Sequence, residues 1–273
     1  MRSVAPPYHD HVTRLVLSLA AAIAASTCSR LPTRTIIGGA PIAPETIALD
    51  ADTIAGPNHY QRGYPAVDAR GAVHAVIEIP AGTTAKFEVA DGDGLLHWQR
   101  DREHGERREI DYLPFPVNYG MVPSTHADDG DGLDILVLGR GLERGHVAKT
   151  RVIGVLLMGD DDERDDKLIA VPTEPALENG FSRLHDLPEL DESYPAARTI
   201  LETWFSYYWG AGRTHVIGWG DAEQARAILD RAREGRSAPR AATAPRLRAR
   251  PPCSSPAHGS PPLPLQARPG SAC

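Results

Sequence analysis

From Val73 to Val171 short runs of β-branched and aromatic residues alternate with turn residues, a pattern that predicts several short strands. Residues 73–79 form the first such run and stop at Pro80. In the next, Lys86-Phe87-Glu88-Val89, the period of two puts Lys86 and Glu88 on one face and Phe87 and Val89 on the other. Asp91-Gly92-Asp93-Gly94 reads as a hairpin turn into residues 95–100. Further strands are predicted near 107–112, 133–138, 146–158 and 167–171, a succession that suggests a small closed or partly closed barrel. Helical spacing enters only later. A helix over 194–208 opens with Pro195 in its first turn and carries Ile200, Leu201, Trp204, Phe205 and Tyr208 on one face. A second, over 221–234, is capped by Asp221 with Gln224 three residues on, and has Ala225, Ile228, Leu229 and Ala232 as its apolar stripe.

The flanks lack this periodicity. Residues 1–28 resemble an export signal: Arg14, a short apolar run over 15–19, an alanine-rich stretch and small residues up to Cys28. The run is too short for a membrane span, so the mature protein is expected to have no stable one. The expectation is an exported, periplasmic protein; a start codon placed upstream of a cytoplasmic protein is the alternative. Residues 29–70 read as an irregular arm or linker, so that the ordered domain would occupy 71–236 and begin in earnest at Val73. Residues 237–273 are rich in Pro and Arg, hold no acidic residue and are expected to be disordered. Cys28, Cys253 and Cys273 all lie in these flanks, which leaves the central domain without a disulfide framework or thiolate metal site.

Charge sharpens the picture. The formal net charge is −7, with acids concentrated at 128–134 and 160–166, which opposes a nucleic-acid surface and points to cations. Asp128-Asp129-Gly130-Asp131-Gly132-Leu133-Asp134 packs four carboxylates into seven residues and runs straight into Ile135-Leu136-Val137-Leu138. Burying part of such a cluster costs several kcal/mol unless cations or protons compensate. A hard divalent cation is the natural partner, and Mg²⁺ commonly takes one or two carboxylates together with substrate phosphates. The second cluster, Asp160 to Asp166, is bracketed by two predicted strands and could face the first across a barrel rim. With Lys86, Arg100 and Lys167, two acidic rims would pair cations with a highly charged anion.

These elements resemble the soluble family I inorganic pyrophosphatases. The matching residues are Val76-Ile77-Glu78-Ile79-Pro80, Lys86-Phe87-Glu88, Arg100, Asn118-Tyr119-Gly120, the 129–137 stretch, 155–160, and Asp165 through Pro172, in the family's order. The resemblance spans about 73–234. It implies a mainly β fold with α (α+β): an OB-like five-stranded β-barrel with flanking helices. It further implies Mg²⁺-dependent hydrolysis of pyrophosphate to two phosphates, with Mn²⁺ or Zn²⁺ as possible substitutes, in a homo-oligomer. Carried over residue by residue, Asp129, Asp134, Asp160 and Asp165 would bind metal and Asp131 would accept a proton from the attacking water. Lys86, Arg100, Tyr119, Lys167 and Tyr208 would contact phosphate, with Glu78 and Glu88 in the outer site. General chemistry supports such roles: two metals can lower the pKa of a shared water, and phosphoryl transfer chiefly needs positioning and charge neutralisation.

The chain also departs from the family. Phe115 stands where a tyrosine is usual, Trp209 where a lysine follows the helix tyrosine, Gly132 where a proline is usual, and Asp161 where a glutamate is common. Losing a preorganised donor is expected to slow turnover by about 10²–10³-fold rather than abolish it. A non-catalytic cation- or phosphate-binding barrel of the same descent is therefore the alternative reading. An EF-hand fails on spacing, since the third acid falls at 134 rather than 133 and Arg140 occupies position twelve. An OB-type nucleic-acid binder is opposed by the acidic rims.

Overall fold

The computed structural model describes residues 34–101, 103–127, 130–160, 163–210 and 212–237, and only the backbone of Asp160, Glu163 and 235–237. Its centre is strand β5 (Val73–Ile79), buried along its whole length. A strand with both faces covered needs apolar residues at nearly every position, which is why this run is almost unbroken Val, Ala and Ile. β5 pairs with β8 (Asn118–Met121) on one side and with the first residues of β10 (Val147–Asp160) on the other. β8 pairs with β9 (Asp134–Val137), β9 runs parallel to β12 (Lys167–Pro172), and β12 returns to β10. Five strands thus close a ring. The two-residue strand β11 (Glu163–Arg164) and β13 (Thr214–Gly220) extend the far end of β10, whose register slips twice so that one long strand can serve four partners.

Three helices pack beside the ring: α1 (Leu187–Ser193), α2 (Ala197–Tyr207) and α3 (Ala222–Ser237). The stripe expected on α3 is the buried one, Ala225, Ile228, Leu229 and Ala232, and Asp221 caps it by accepting the Gln224 N–H at 2.9 Å. That helix runs on through Gly235, beyond its expected end. The helix expected over 194–208 is α2, which starts three residues later than expected, and α1 is a separate helix just before it. Pro195 disfavours helical geometry at Tyr194, and Ala196 takes a left-handed φ of 67°, so the chain turns between α1 and α2. Of the predicted apolar face of α2, Leu201, Trp204 and Phe205 are buried, whereas Ile200 faces solvent.

The expectation of an irregular arm over 29–70 needs correction. Within it lie β1 (Ile36–Ile37), β2 (Ala40–Pro41), β3 (Ile47–Ala48) and β4 (Thr53–Ala55). β3 and β4 join β6 (Phe87–Val89) and β7 (Leu96–Trp98) in a second, four-stranded sheet. Ile42, Ile54 and Tyr60 share a core with Phe87, Leu96 and Met121. Pieces two or three residues long show no period in sequence; their order comes from pairing and burial. The strand expected near 107–112 is only a pair of bridges, Ala85 with Glu109 and Arg100 with Arg107. Residues 1–28, the tail from 238 onward and the pair Asp128–Asp129 lie outside the described residues. Among the described residues no helix is long and apolar enough to cross a membrane.

Candidate active site

The site is set by the parallel register of β9 and β12. Leu168 lies opposite Ile135, so Lys167 and Asp134 begin their strands side by side at the rim of the ring. The Lys167 ammonium donates to Asp134 Oδ2 at 2.6 Å and to Asp165 Oδ1 at 2.8 Å, and its side chain is only 2% exposed. Tyr119 Oη donates to the same Asp134 oxygen at 2.6 Å. Tyr119 itself is held by its neighbours. The buried Asn118 side chain accepts from the N–H groups of Ala81 and Leu142 and donates to the carbonyls of Val137 and Arg140. Gly120 lets β8 approach β5: a Cβ there would stand 1.8 Å from the Val76 carbonyl oxygen.

Lys86 completes the cationic side. It is buried, ion-paired to Glu88 on its own face as the alternation predicts, and 5.8 Å from the Tyr119 ring centroid. Lys167 lies 5.5 Å from that same centroid, so the two ammoniums flank one phenol. Burial pulls both lysines down, but the carboxylates beside them prevail and hold both above the ordinary lysine value. Tyr119 and Tyr208 are pushed up, chiefly by burial, and stay protonated donors. Tyr208 stacks on Trp204 at 4.7 Å and lies within electrostatic reach of both lysines. Phe115, where a tyrosine was expected, is 2% exposed and wedged against Tyr119, Trp204 and Tyr208, so this wall of the site is apolar.

Glu78 is buried under this layer and accepts the Val89 N–H at 2.7 Å. Burial, reinforced by Glu88, raises its pKa well above the ordinary carboxylate value. The sign follows directly: the unfolded chain ionises first, so above about pH 4.5 the folded state carries a penalty that grows until Glu78 itself ionises. Glu78→Gln keeps an acceptor for Val89 and removes the charge. Melting without divalent cations is expected to show the variant more stable than wild type at pH 7 and indistinguishable near pH 4; a variant less stable at pH 7 would contradict the assignment.

Arg100 is not brought into this group. It is the cross-strand partner of Arg107, and such partners leave a sheet on the same face. Both reach Asp52, and Arg100 is about half exposed. Arg108, one residue on, points the other way, toward Lys86, whose N–H bonds to the Arg108 carbonyl at 3.0 Å. Its guanidinium sits 4.3 Å from the centroid of Trp209, the residue after Tyr208. No local pattern shows which arginine faces Lys86; strand pairing does.

Asp131 is exposed on the loop entering β9, which is closed by Ala127 N–H to Asp131 O at 2.8 Å and Leu133 N–H to Thr125 Oγ1 at 2.9 Å. A Cβ on Gly132 would meet Met121 Cε at 2.2 Å, so Met121 fills the space that the usual proline would take. Asp129 and the side chain of Asp160 lie outside the described residues. Among the described residues no three acidic, His or Cys side chains stand close enough to hold a metal by themselves. The donor set nevertheless suits Mg²⁺: Asp134 and Asp165 converge on one point, offer only hard oxygen donors, and leave positions that water and phosphate can fill.

Ring, paired carboxylates, two ammoniums and two phenols define a mainly β protein built around a site for a multiply charged oxyanion and hard cations. The chain belongs to the inorganic pyrophosphatase family, whose description "Inorganic pyrophosphatase" matches residues 75–236. It is similar to the inorganic pyrophosphatase of Neisseria meningitidis serogroup B, 35% identical over 166 residues that cover 58% of this chain and 85% of the relative. It is also similar to that of Sulfolobus acidocaldarius, 32% identical over 169 residues covering 59% and 90%. The solved inorganic pyrophosphatase of Thermus thermophilus superposes with a TM-score of 0.56 at 28% identity, covering 66% of this chain and 99% of that one. This likeness bears out the mainly β, OB-like fold class expected from the sequence.

Proposed function

We propose that the protein hydrolyses inorganic pyrophosphate to two phosphates with Mg²⁺ as its physiological metal. The supporting observation is the Lys167 ammonium held between Asp134 and Asp165 beside Tyr119, inside the segment that matches the family. Asp134 and Asp165, with Asp129 and Asp160, would hold the metal, which when bound neutralises phosphate charge and acidifies water. Lys86 and Lys167 bind phosphate oxygens as point charges, and Arg108 takes the role expected of Arg100, with a planar fork suited to two oxygens. Tyr119 and Tyr208 donate to phosphate as neutral phenols. The apolar wall of Phe115, Trp204 and Tyr208 keeps bulk water from that side. Asp131 takes the proton released by the attacking water. Glu78 and Glu88 orient Val89 and Lys86 from beneath.

Phosphate release from pyrophosphate, measured while Mg²⁺, Mn²⁺ or Zn²⁺ is titrated, tests this reading. Turnover that rises with metal, is highest with Mg²⁺ and vanishes with chelator is expected. A folded, metal-saturated protein that binds pyrophosphate without releasing phosphate would show instead the non-catalytic barrel.

A further inference from the structure

Gln61 and Tyr64 lie before the 75–236 family match, yet they grip the turn that leads into the loop carrying Asp131. Gln61 is 2% exposed, and its Nε2 donates to the carbonyl of the buried Thr125 at 3.0 Å. Its backbone carbonyl accepts the Ser124 N–H at 2.8 Å, and Ser124 Oγ donates to the Tyr64 carbonyl at 2.8 Å. Between these bonds Ser124 holds a left-handed φ of 58°, a conformation that residues other than glycine rarely adopt. The hold continues into the loop. Thr125 Oγ1 donates to the Val122 carbonyl at 2.6 Å and accepts the N–H of Leu133, the residue before Asp134, at 2.9 Å.

The far end of the Gln61 amide is unusual. Oε1 is buried without a hydrogen-bond partner among the described residues, 3.5 Å from where a Cβ on Gly132 would stand. The amide cannot turn over to cure this, because the Thr125 carbonyl only accepts and needs the NH₂ end. A buried amide oxygen left unpaired is costly, so a side chain kept for stability alone would be apolar here. Gly132 stands where the resemblance leads one to expect proline, and glycine leaves the loop backbone far more freedom than a proline ring would. Met121 Cε and Gln61 Oε1 are the side-chain atoms that close in on the space such a ring would fill.

We propose that Gln61 is a positioning residue for the reaction: through Thr125 and Leu133 it fixes the loop so that Asp131 is presented to the attacking water. A segment outside the family match thereby supplies the restraint that a proline would supply within the loop. Asp134 depends on it less, because strand pairing already sets its place opposite Met121. The inference rests on the pyrophosphatase reading above, in which Asp131 takes the proton.

Gln61→Met tests it, being nearly isosteric and lacking both amide atoms. The variant loses the bond to Thr125 and also the orphaned oxygen, so its melting temperature should move by no more than about 2–4 °C. With pyrophosphate and saturating Mg²⁺, kcat should fall about tenfold, part of the 10²–10⁴-fold that a positioned base supplies, while KM changes less than about twofold. In an Asp131→Asn background the same substitution should change kcat less than about twofold, because the group it positions is already lost. Amide exchange at Leu133, measured without substrate or metal, should be faster in Gln61→Met than in wild type, which reads the hold itself. Tyr60→Phe is the control: it cuts a bond from the same segment to the Gly145 carbonyl, and should lower the melting temperature with kcat unchanged. A Gln61→Met enzyme with wild-type kcat and wild-type exchange at Leu133 would overturn the inference and leave the pyrophosphatase reading standing. So would one that fails to fold, or whose loss persists undiminished beside Asp131→Asn, since either gives Gln61 a purely structural role. An inert wild type would sink the pyrophosphatase reading, and this role with it.

Discussion

Replacing Lys167 by methionine is expected to produce the largest combined loss, in turnover and in stability. The variant keeps the length of the side chain and removes the ammonium that now sits between Asp134 and Asp165. For catalysis, the proposed role of Lys167 in binding phosphate predicts a loss of about 10²–10³-fold in kcat. For the fold, two carboxylates and the Tyr119 hydroxyl lose their common cationic neighbour in a region where Lys167 is 2% exposed and the carboxylates 17% and 20%. Breaking a buried pair costs about 3–5 kcal/mol, and the partial exposure of the two aspartates places this case at the lower end. The sign of the pH dependence is fixed as well. A lysine held above its ordinary value contributes stability that is complete below about pH 10.5 and is lost only at higher pH. The gap between variant and wild type should therefore stay constant from pH 6 to 9 on the lysine's account. Divalent cations should narrow it, because Asp134 and Asp165 without their lysine gain most from a metal. Melting curves with and without Mg²⁺ measure both effects. A variant that melts with wild type in the absence of metal would show that the lysine does not hold the carboxylates together.

This lysine also shows how far sequence carries. Lys167 and the two acidic clusters were legible because their chemistry is spelled out in short runs next to apolar strands. That Lys167 meets Asp134 across 33 residues depends on the parallel pairing of β9 with β12, which no local pattern encodes. β5 was legible as a nearly unbroken apolar run, and the stripe of α3 by its helical period. Where the period is absent, reading failed. The pieces of β1 to β4 are too short to alternate, and β13 is broken by Gly218 and polar residues. Arg100 and Arg108 are both arginines beside strand-like runs; only the bridge between Arg100 and Arg107 decides which side chain turns toward Lys86. The family resemblance gave residue types and order, and the strand register puts Arg108 rather than Arg100 beside Lys86.

Asp131→Asn is the counterpart of the lysine variant, because it should remove activity and leave the fold alone. The loop that carries Asp131 is closed by its backbone: Ala127 N–H to Asp131 O, Gly130 N–H to Ala127 O at 3.0 Å, and Leu133 N–H to Thr125 Oγ1. Asparagine keeps these backbone bonds and has nearly the same shape. Surface substitutions of this kind usually change stability by less than about 0.5 kcal/mol. What asparagine cannot do is take a proton. A positioned general base contributes about 10²–10⁴-fold, so kcat should fall by that factor while KM changes little. The residual rate should climb with pH, since hydroxide from solution can replace the missing base. Metal affinity distinguishes the two tasks a carboxylate could have here. If Asp131 were a metal ligand instead, saturating Mg²⁺ would restore much of the rate, and the metal dependence rather than kcat would carry the defect. A variant that recovers at high Mg²⁺ would move Asp131 from base to ligand. One that stays slow at every metal concentration, with wild-type melting, would support its role as the proton acceptor.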